Sequence, residues 1–427
     1  LTGNKPSITR FEKAVQHFTA DCISCGICLE ACPCIPHSNI REEEPQHIMS
    51  DIKASFEGDP LSFLAVERAF ACTRCGICRD ICPQEINVFD VLQALRAEAL
   101  IQGKRDLSLT SLSVGNHLLT DWDFDDILAG LQIKPWERRW ADSGFSDIQK
   151  SDAVLFIGCH SKRYVSILNT LLDILEMLGL NFTAVAGGAV CCGARFSGIG
   201  QFNMSEKQGI QLIEYLSEYS PKEVFVQCPM CLYSIRNEIS KFTRIPFRVK
   251  HVFEVMAERL DTFKFTRRVE KKITYHDPCK LGRMSGDFEY IRRIFKAIPG
   301  LRFMEMPESK EASLCCGGAA WRSDPNMARA LREKAMDAAG EVDPDILATA
   351  CQFCHQNFYG AADAYPYEVS SALEIIGAGM GIHHENKLNQ YYAYHNPERV
   401  IEETREYVEA GPYTEEEVRQ VLKRLMP

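Results

Sequence analysis

The sequence predicts a multidomain protein of mixed α+β and α/β class: a helical N-terminal module, two duplicated α/β domains and a tail ending in a helix. Three observations predict it. Nineteen cysteines in 427 residues fall into tight clusters, eight of them in the first 82 positions as two C-x2-C-x2-C-x3-C-P runs. Ten more form two sets of five whose matching positions are offset by 120, 123 or 124 residues, an internal duplication. Around these sets, short apolar runs alternate with stretches of helical spacing, the pattern of an open α/β sheet. The expected boundaries are 1–103 for the helical module, 104–150 for a connector, 151–262 and 263–382 for the two copies, and 383–427 for the tail.

In the N-terminal module the runs are Cys22, Cys25, Cys28 and Cys32 before Pro33, and Cys72, Cys75, Cys78 and Cys82 before Pro83. Three thiolates on one tight turn cover three corners of a cubane [4Fe-4S] cluster, and the fourth reaches the neighbouring cluster. Cys22, Cys25, Cys28 and Cys82 are therefore expected to hold one cubane, and Cys72, Cys75, Cys78 and Cys32 the other. Zinc also uses C-x2-C pairs, but two complete four-cysteine runs each ending in Cys-Pro favour iron. Between the runs, residues 48–70 read as helical, with apolar Ile52, Phe56, Leu61, Leu64 and Val66. Cys34 is left over: it is a candidate swap ligand or redox-active thiol, with packing beside a cluster as a small hydrophobe the plainer expectation.

The connector carries Trp122, Trp136 and Trp140, expected to be core. In the first copy, Ala153 to Ile157 reads as a strand leading to Cys159, Val165 to Leu178 as a helix, and Phe182 to Val185 as a strand before Cys191 and Cys192. Val224 to Val226 is a third strand before Cys228 and Cys231. The second copy repeats the order: Ile273 to Tyr275 before Cys279, a helix over Phe288 to Ile298, Leu301 to Met306 before Cys315 and Cys316, and Ile346 to Ala348 before Cys351 and Cys354. Ligands just beyond strand ends are where open α/β sheets keep functional residues. Gly193, Gly317 and Gly318 are expected to relieve the bend at the double cysteines. Thr414 with Glu417 reads as a capping box opening the final helix.

A net charge of −10 with dispersed Lys and Arg gives no footprint for nucleic acid. No apolar run reaches the eighteen residues of a membrane span, so a membrane is expected only through a partner. The cysteine clusters suit a reducing cytoplasm.

The paired five-cysteine sets, C-x31-C-C-x35-C-x2-C and C-x35-C-C-x34-C-x2-C, resemble the cysteine-rich CCG domains of heterodisulfide reductase. The N-terminal module resembles the helical ferredoxin domains of succinate dehydrogenase and heterodisulfide reductase. Together they are similar to the catalytic subunit of that family over nearly the full chain. The resemblance implies two non-cubane [4Fe-4S] clusters, one on Cys159, Cys191, Cys192, Cys228 and Cys231 and one on Cys279, Cys315, Cys316, Cys351 and Cys354, which reduce or form a disulfide or heterodisulfide. It implies redox partner subunits as well, either a membrane cytochrome b or a flavin subunit. The alternative is an electron-transfer subunit linking a flavoprotein dehydrogenase to quinone, with no substrate of its own. His160, His276 and His355 adjoin cluster cysteines and are candidate proton donors, or else hydrogen-bond a strand end. Arg163, Lys280 and Arg283 are candidate contacts to an anionic substrate or partner, with solvated surface charge as the plainer expectation.

Overall fold

The computed structural model describes residues 10–105, 111–114, 117–142, 148–321 and 323–425. The N-terminal module is all helical: α1 (Glu12–Asp21), α2 (Ile27–Glu30), α3 (Pro45–Glu57), α4 (Phe63–Ala71), α5 (Ile77–Asp80) and α6 (Val88–Ile101). The expected single helix over 48–70 is instead two. Gly58 terminates α3 with φ 126°, Pro60 cannot continue a helix, and the Ser62 hydroxyl then caps α4 by accepting from the Ala65 amide at 3.0 Å. Ile48, Ile52, Ala69, Phe70, Leu92 and Leu95 close the core between these helices.

The connector holds a hairpin of β1 (Ser111–Val114) and β2 (His117–Thr120), then α7 (Asp121–Gly130) and β3 (Ala141–Asp142). It is no mere spacer, because β3 joins the first sheet beside β5 and α7 carries a buried aspartate to the first cysteine set. Trp140 is buried, but Trp136 is 71% exposed, against the expectation that all three tryptophans are core.

The first copy comprises β4 (Ala153–Ile157), α8 (Val165–Met177), β5 (Thr183–Ala186), α9 (Ala194–Ile199), α10 (Phe202–Glu218), β6 (Glu223–Val226), α11 (Pro229–Tyr233), β7 (Arg248–His251) and α12 (Val252–Glu258). The second comprises β8 (Lys272–His276), α13 (Tyr290–Ala297), β9 (Arg302–Met304), α14 (Pro325–Gly340), β10 (Ile346–Thr349), α15 (Gln352–Tyr359), β11 (Glu368–Ser371) and α16 (Ala372–Met380). All strand pairs in these two sheets are parallel, in the orders β3-β5-β4-β6-β7 and β9-β8-β10-β11. With β3 set aside, the two sheets have the same topology. Burial on both faces explains why β4 is an unbroken apolar run.

The copies join through helices, not sheet to sheet. Gly377 of α16 brings its backbone against Thr170 of α8, and one continuous core runs from Leu155 and Leu171 through Tyr275 and Phe295 to Ile376. Tail helices α17 (Lys387–Tyr394), α18 (Pro397–Glu403), α19 (Arg405–Ala410) and α20 (Glu415–Leu425) add Leu388, Val400, Val421 and Leu422 to it. The Thr414 amide donates to Glu417 at 2.7 Å and the Glu417 amide to Thr414 at 3.3 Å, the expected capping box. Among the described residues no helix is long and apolar enough to cross a membrane.

Candidate metal centres

In each sheet the chain leaves the first strand to one side and returns on the other, so a crevice opens between the C-terminal ends of β4 and β6, and of β8 and β10. Cys159 follows β4 and Cys228 follows β6, while Cys279 follows β8 and Cys351 follows β10. A methyl group at Gly158 would meet Cys231 Sγ at 3.0 Å and Cys228 Cβ at 3.1 Å, so glycine lets the strand end reach those thiols. The double cysteines arrive on sharp turns. Gly193 and Gly317 follow them in the left-handed region, at φ 75° and 80°, and a Cβ at either would collide with the carbonyl of Ser205 or Ala328. Gly318, by contrast, has no positive φ.

The five thiols of the first set form a hydrogen-bonded group, Cys159 to Cys191, Cys191 to Cys192, Cys192 to Cys231 and Cys231 to Cys228. Hydrogen bonds from Cys191 and Cys231 pull the Cys192 thiol down to about 6. In the second set, Cys354 bonds Cys316 and Cys351. His276 joins them, since ligand atoms of His276, Cys316 and Cys354 all lie within 4.8 Å of one another. Burial raises Cys279 to about 12.

The fold places Cys82 beside the first N-terminal run and Cys32 beside the second. Cys22, Cys25, Cys28 and Cys82 line one cleft together with Met49, and burial with those neighbouring thiols raises Cys28 to about 12. Cys32 lies with Cys72, Cys75 and Cys78. Arg68 sits among both groups, 1% exposed and with Nε and Nη1 lacking any hydrogen-bond partner among the described residues. Burial alone would lower its pKa, but Cys32, Cys72, Cys78 and Cys28 outweigh that and raise it. An orphaned buried cation ringed by thiols is a site made for an anionic thiolate cluster. All nineteen cysteines are unbridged.

Comparison with known proteins decides the family. A 4Fe-4S dicluster domain model matches residues 21–87, and a cysteine-rich CCG domain model matches twice, at 153–236 and 273–359. One relative is a subunit of the dihydromethanophenazine:CoB--CoM heterodisulfide reductase of Methanosarcina barkeri, 28% identical over 416 residues that cover 90% of this chain and 99% of that one. Another is a subunit of the fumarate reductase (CoM/CoB) of Methanothermobacter marburgensis, 29% identical over 78% of this chain and 66% of the relative. EtfAB:quinone oxidoreductase of Syntrophomonas wolfei is 22% identical over 78% of this chain and 54% of the relative.

The chain belongs to the iron–sulfur oxidoreductases related to heterodisulfide reductase. The first two of these relatives are named as subunits of reductases.

The two cysteine-rich sets of the reductase-like chain meet at a seam that is buried at His160, Tyr164 and His355 and reaches solvent at Phe353, 41% exposed. His160, beside Cys159, stacks on Phe353, between Cys351 and Cys354, with ring centroids 4.1 Å apart, and Tyr164 meets His355 edge-on at 5.5 Å. All three candidate histidines are buried, not poised near neutrality: burial first, then Arg163, lowers His160 to about 4; burial first, then Arg283, lowers His276 to about 3; and burial lowers His355. Each is a neutral imidazole at pH 7.

The three basic candidates are equally far from being solvated. Arg163 pairs with Asp125, which is fully buried and also pairs with Arg195 on α9. Burial alone would raise the Asp125 pKa, but Arg163 and Arg195 hold the carboxyl well below the usual carboxylate range. Arg283 donates to the carbonyls of Cys75, Glu311 and Ser313. Lys280 points its ammonium at Tyr233 and Phe89, 3.9 Å and 4.7 Å from the ring centroids, and burial lowers it to about 8. Asp125, Arg195, Arg68, Tyr164 and Phe353 were not legible as site residues. Only Arg195, three places after Cys192, and Phe353, inside a C-x2-C pair, carried a positional hint.

Proposed function

We propose that the chain passes electrons between a partner subunit and two non-cubane [4Fe-4S] clusters by way of two cubane [4Fe-4S] clusters, the non-cubane pair cleaving a disulfide with two electrons received or forming one and returning two electrons to the partner. Cys22, Cys25, Cys28 and Cys82 hold the first cubane, and Cys72, Cys75, Cys78 and Cys32 the second. Cys159, Cys191, Cys192, Cys228 and Cys231 hold the first non-cubane cluster, and Cys279, Cys315, Cys316, Cys351 and Cys354 the second. When bound, these clusters supply one-electron storage and, at the cysteine-rich sites, iron that accepts thiolate sulfur.

The reading is carried by two complete five-thiol sets that meet across the His160–Phe353 stack. Along this seam His160 Nε2, the Tyr164 hydroxyl and both His355 nitrogens are buried without a hydrogen-bond partner among the described residues. Buried polar atoms of this kind await one, and they orient a substrate's sulfur atoms and deliver hydrogen bonds to departing thiolates. The heterodisulfide of coenzymes M and B, named in the relatives, is the proposed substrate type.

Anaerobic protein with full iron and sulfide, oxidised in the presence of coenzyme M or coenzyme B thiol, is expected to give a paramagnetic signal dependent on that thiol. No such signal, with the iron intact, favours instead a chain that only passes electrons from a flavoprotein dehydrogenase to quinone, which the likeness to EtfAB:quinone oxidoreductase supports. The partner is then a flavin subunit, as against a membrane cytochrome b for quinol-linked disulfide chemistry.

A further inference from the structure

The Thr73 hydroxyl lies between two sulfur sets that the sequence holds far apart. Cys34 Sγ is 3.3 Å from it and Cys315 Sγ, 242 residues away, is 3.5 Å from it. Cys34 is two residues from Cys32, and both are buried in the same core. The row Cys32, Cys34, Thr73, Cys315 therefore runs from the second N-terminal thiol set to the second cysteine-rich set. Thr73 is 6% exposed and Cys34 is buried, whereas Ile23, which holds the position of Thr73 in the first run, is 64% exposed.

Thr73 has one hydrogen and two lone pairs, and Cys34, left out of both ligand sets, keeps one hydrogen of its own. Cys32 and Cys315, as metal-bound thiolates, have none to give. The row is consequently satisfied in two ways. In one, Thr73 donates to Cys34 and Cys34 donates to Cys32. In the other, Cys34 donates to Thr73 and Thr73 donates to Cys315.

We propose that Thr73 and Cys34 form a reversible row of hydrogen bonds that follows the electron from the Cys32 site to the Cys315 site. This rests on the ligand sets proposed above. A hydrogen bond to a cluster sulfur favours the more reduced state and raises the potential. With the electron at the Cys32 site both hydrogens turn towards Cys32, and after transfer both turn towards Cys315. Each rotates on its own heavy atom, so no covalent bond breaks and no proton leaves. One electron is lost at the first site and gained at the second. Both residues are positioning residues, and Cys34 thereby has a role without being a ligand.

The test is a redox titration followed by electron paramagnetic resonance on anaerobically purified, iron-loaded protein. Thr73→Val is expected to lower the potential of the second cysteine-rich site without lowering that of the second N-terminal site, because Cys34 then donates only to Cys32. Cys34→Ala is expected to do the reverse, and Cys34→Ser and Thr73→Ser to restore both values. Thr73→Ala repeats the test should valine prevent cluster loading. Unmoved potentials in both variants with iron intact overturn the row, as does a fall at both sites together in either variant. Iron loss in Cys34→Ala makes Cys34 a ligand and overturns it too. Iron missing from the unaltered protein overturns the ligand sets themselves, a result distinct from the others.

Discussion

A guanidinium taken out of water without an acid beside it is expensive, and breaking or omitting the partner of a buried charge typically costs ~3–5 kcal/mol. Arg68 is tolerated because thiolates of both N-terminal groups surround it. Arg68→Met is accordingly expected to lower the reduction potentials at both N-terminal sites, more at the one holding Cys32, Cys72 and Cys78, the three thiols that act on it most strongly. A redox titration of the variant beside the unaltered protein checks this. Asp287 works in the opposite sense: burial raises it from 3.8 to about 7, and its Oδ2 has no partner among the described residues. An acid with a raised folded pKa binds protons more tightly folded than unfolded, so its contribution is whole below 3.8 and is lost as pH rises through about 7. Thermal unfolding of Asp287→Asn should show a gain that is larger at pH 8 than at pH 5.

Helix α7 has no cysteine and lies in a stretch that reads as a connector packed between modules, yet it delivers Asp125 to two arginines flanking the first cysteine-rich set. Asp125→Ala strands both guanidinium groups and is expected to cost ~3–5 kcal/mol, measured by denaturant unfolding, with loss of iron from the first cysteine-rich site ahead of the second. Nothing local in α7 announces this, because its partners lie 38 and 70 residues further along. Strands β4, β6, β8 and β10 were legible since each is a central strand with a nearly continuous apolar sequence. The edge strands β7 and β11 were not, because Arg248 and Glu368 face water and leave only two buried positions in four.

At the scale of the molecule, the cysteine count and the duplication made the four thiol groups readable in advance, whereas their mutual placement was not. The N-terminal module settles against both copies, sharing one core with Tyr233 of the first and Met284, Cys315, Ala320, Met327 and Leu331 of the second and another with Phe202 of the first, and no periodicity encodes such docking. The buried thiol groups also tie folding to metal, since thiolates brought together without iron repel one another. Removing iron with a chelator under reducing conditions is expected to lower the unfolding temperature, and restoring iron and sulfide to recover it, as followed by circular dichroism.

Arg74 of the module and Glu238 of the first copy are 2.9 Å apart, with side chains only 5% and 6% exposed. Swinging the module away would carry each naked charge through an oily interface, so the ion pair works as a latch against hinge motion. Hops between the docked sites then take place at fixed spacing, without a diffusive search, and their rate should be indifferent to glycerol or any other thickening of the solvent.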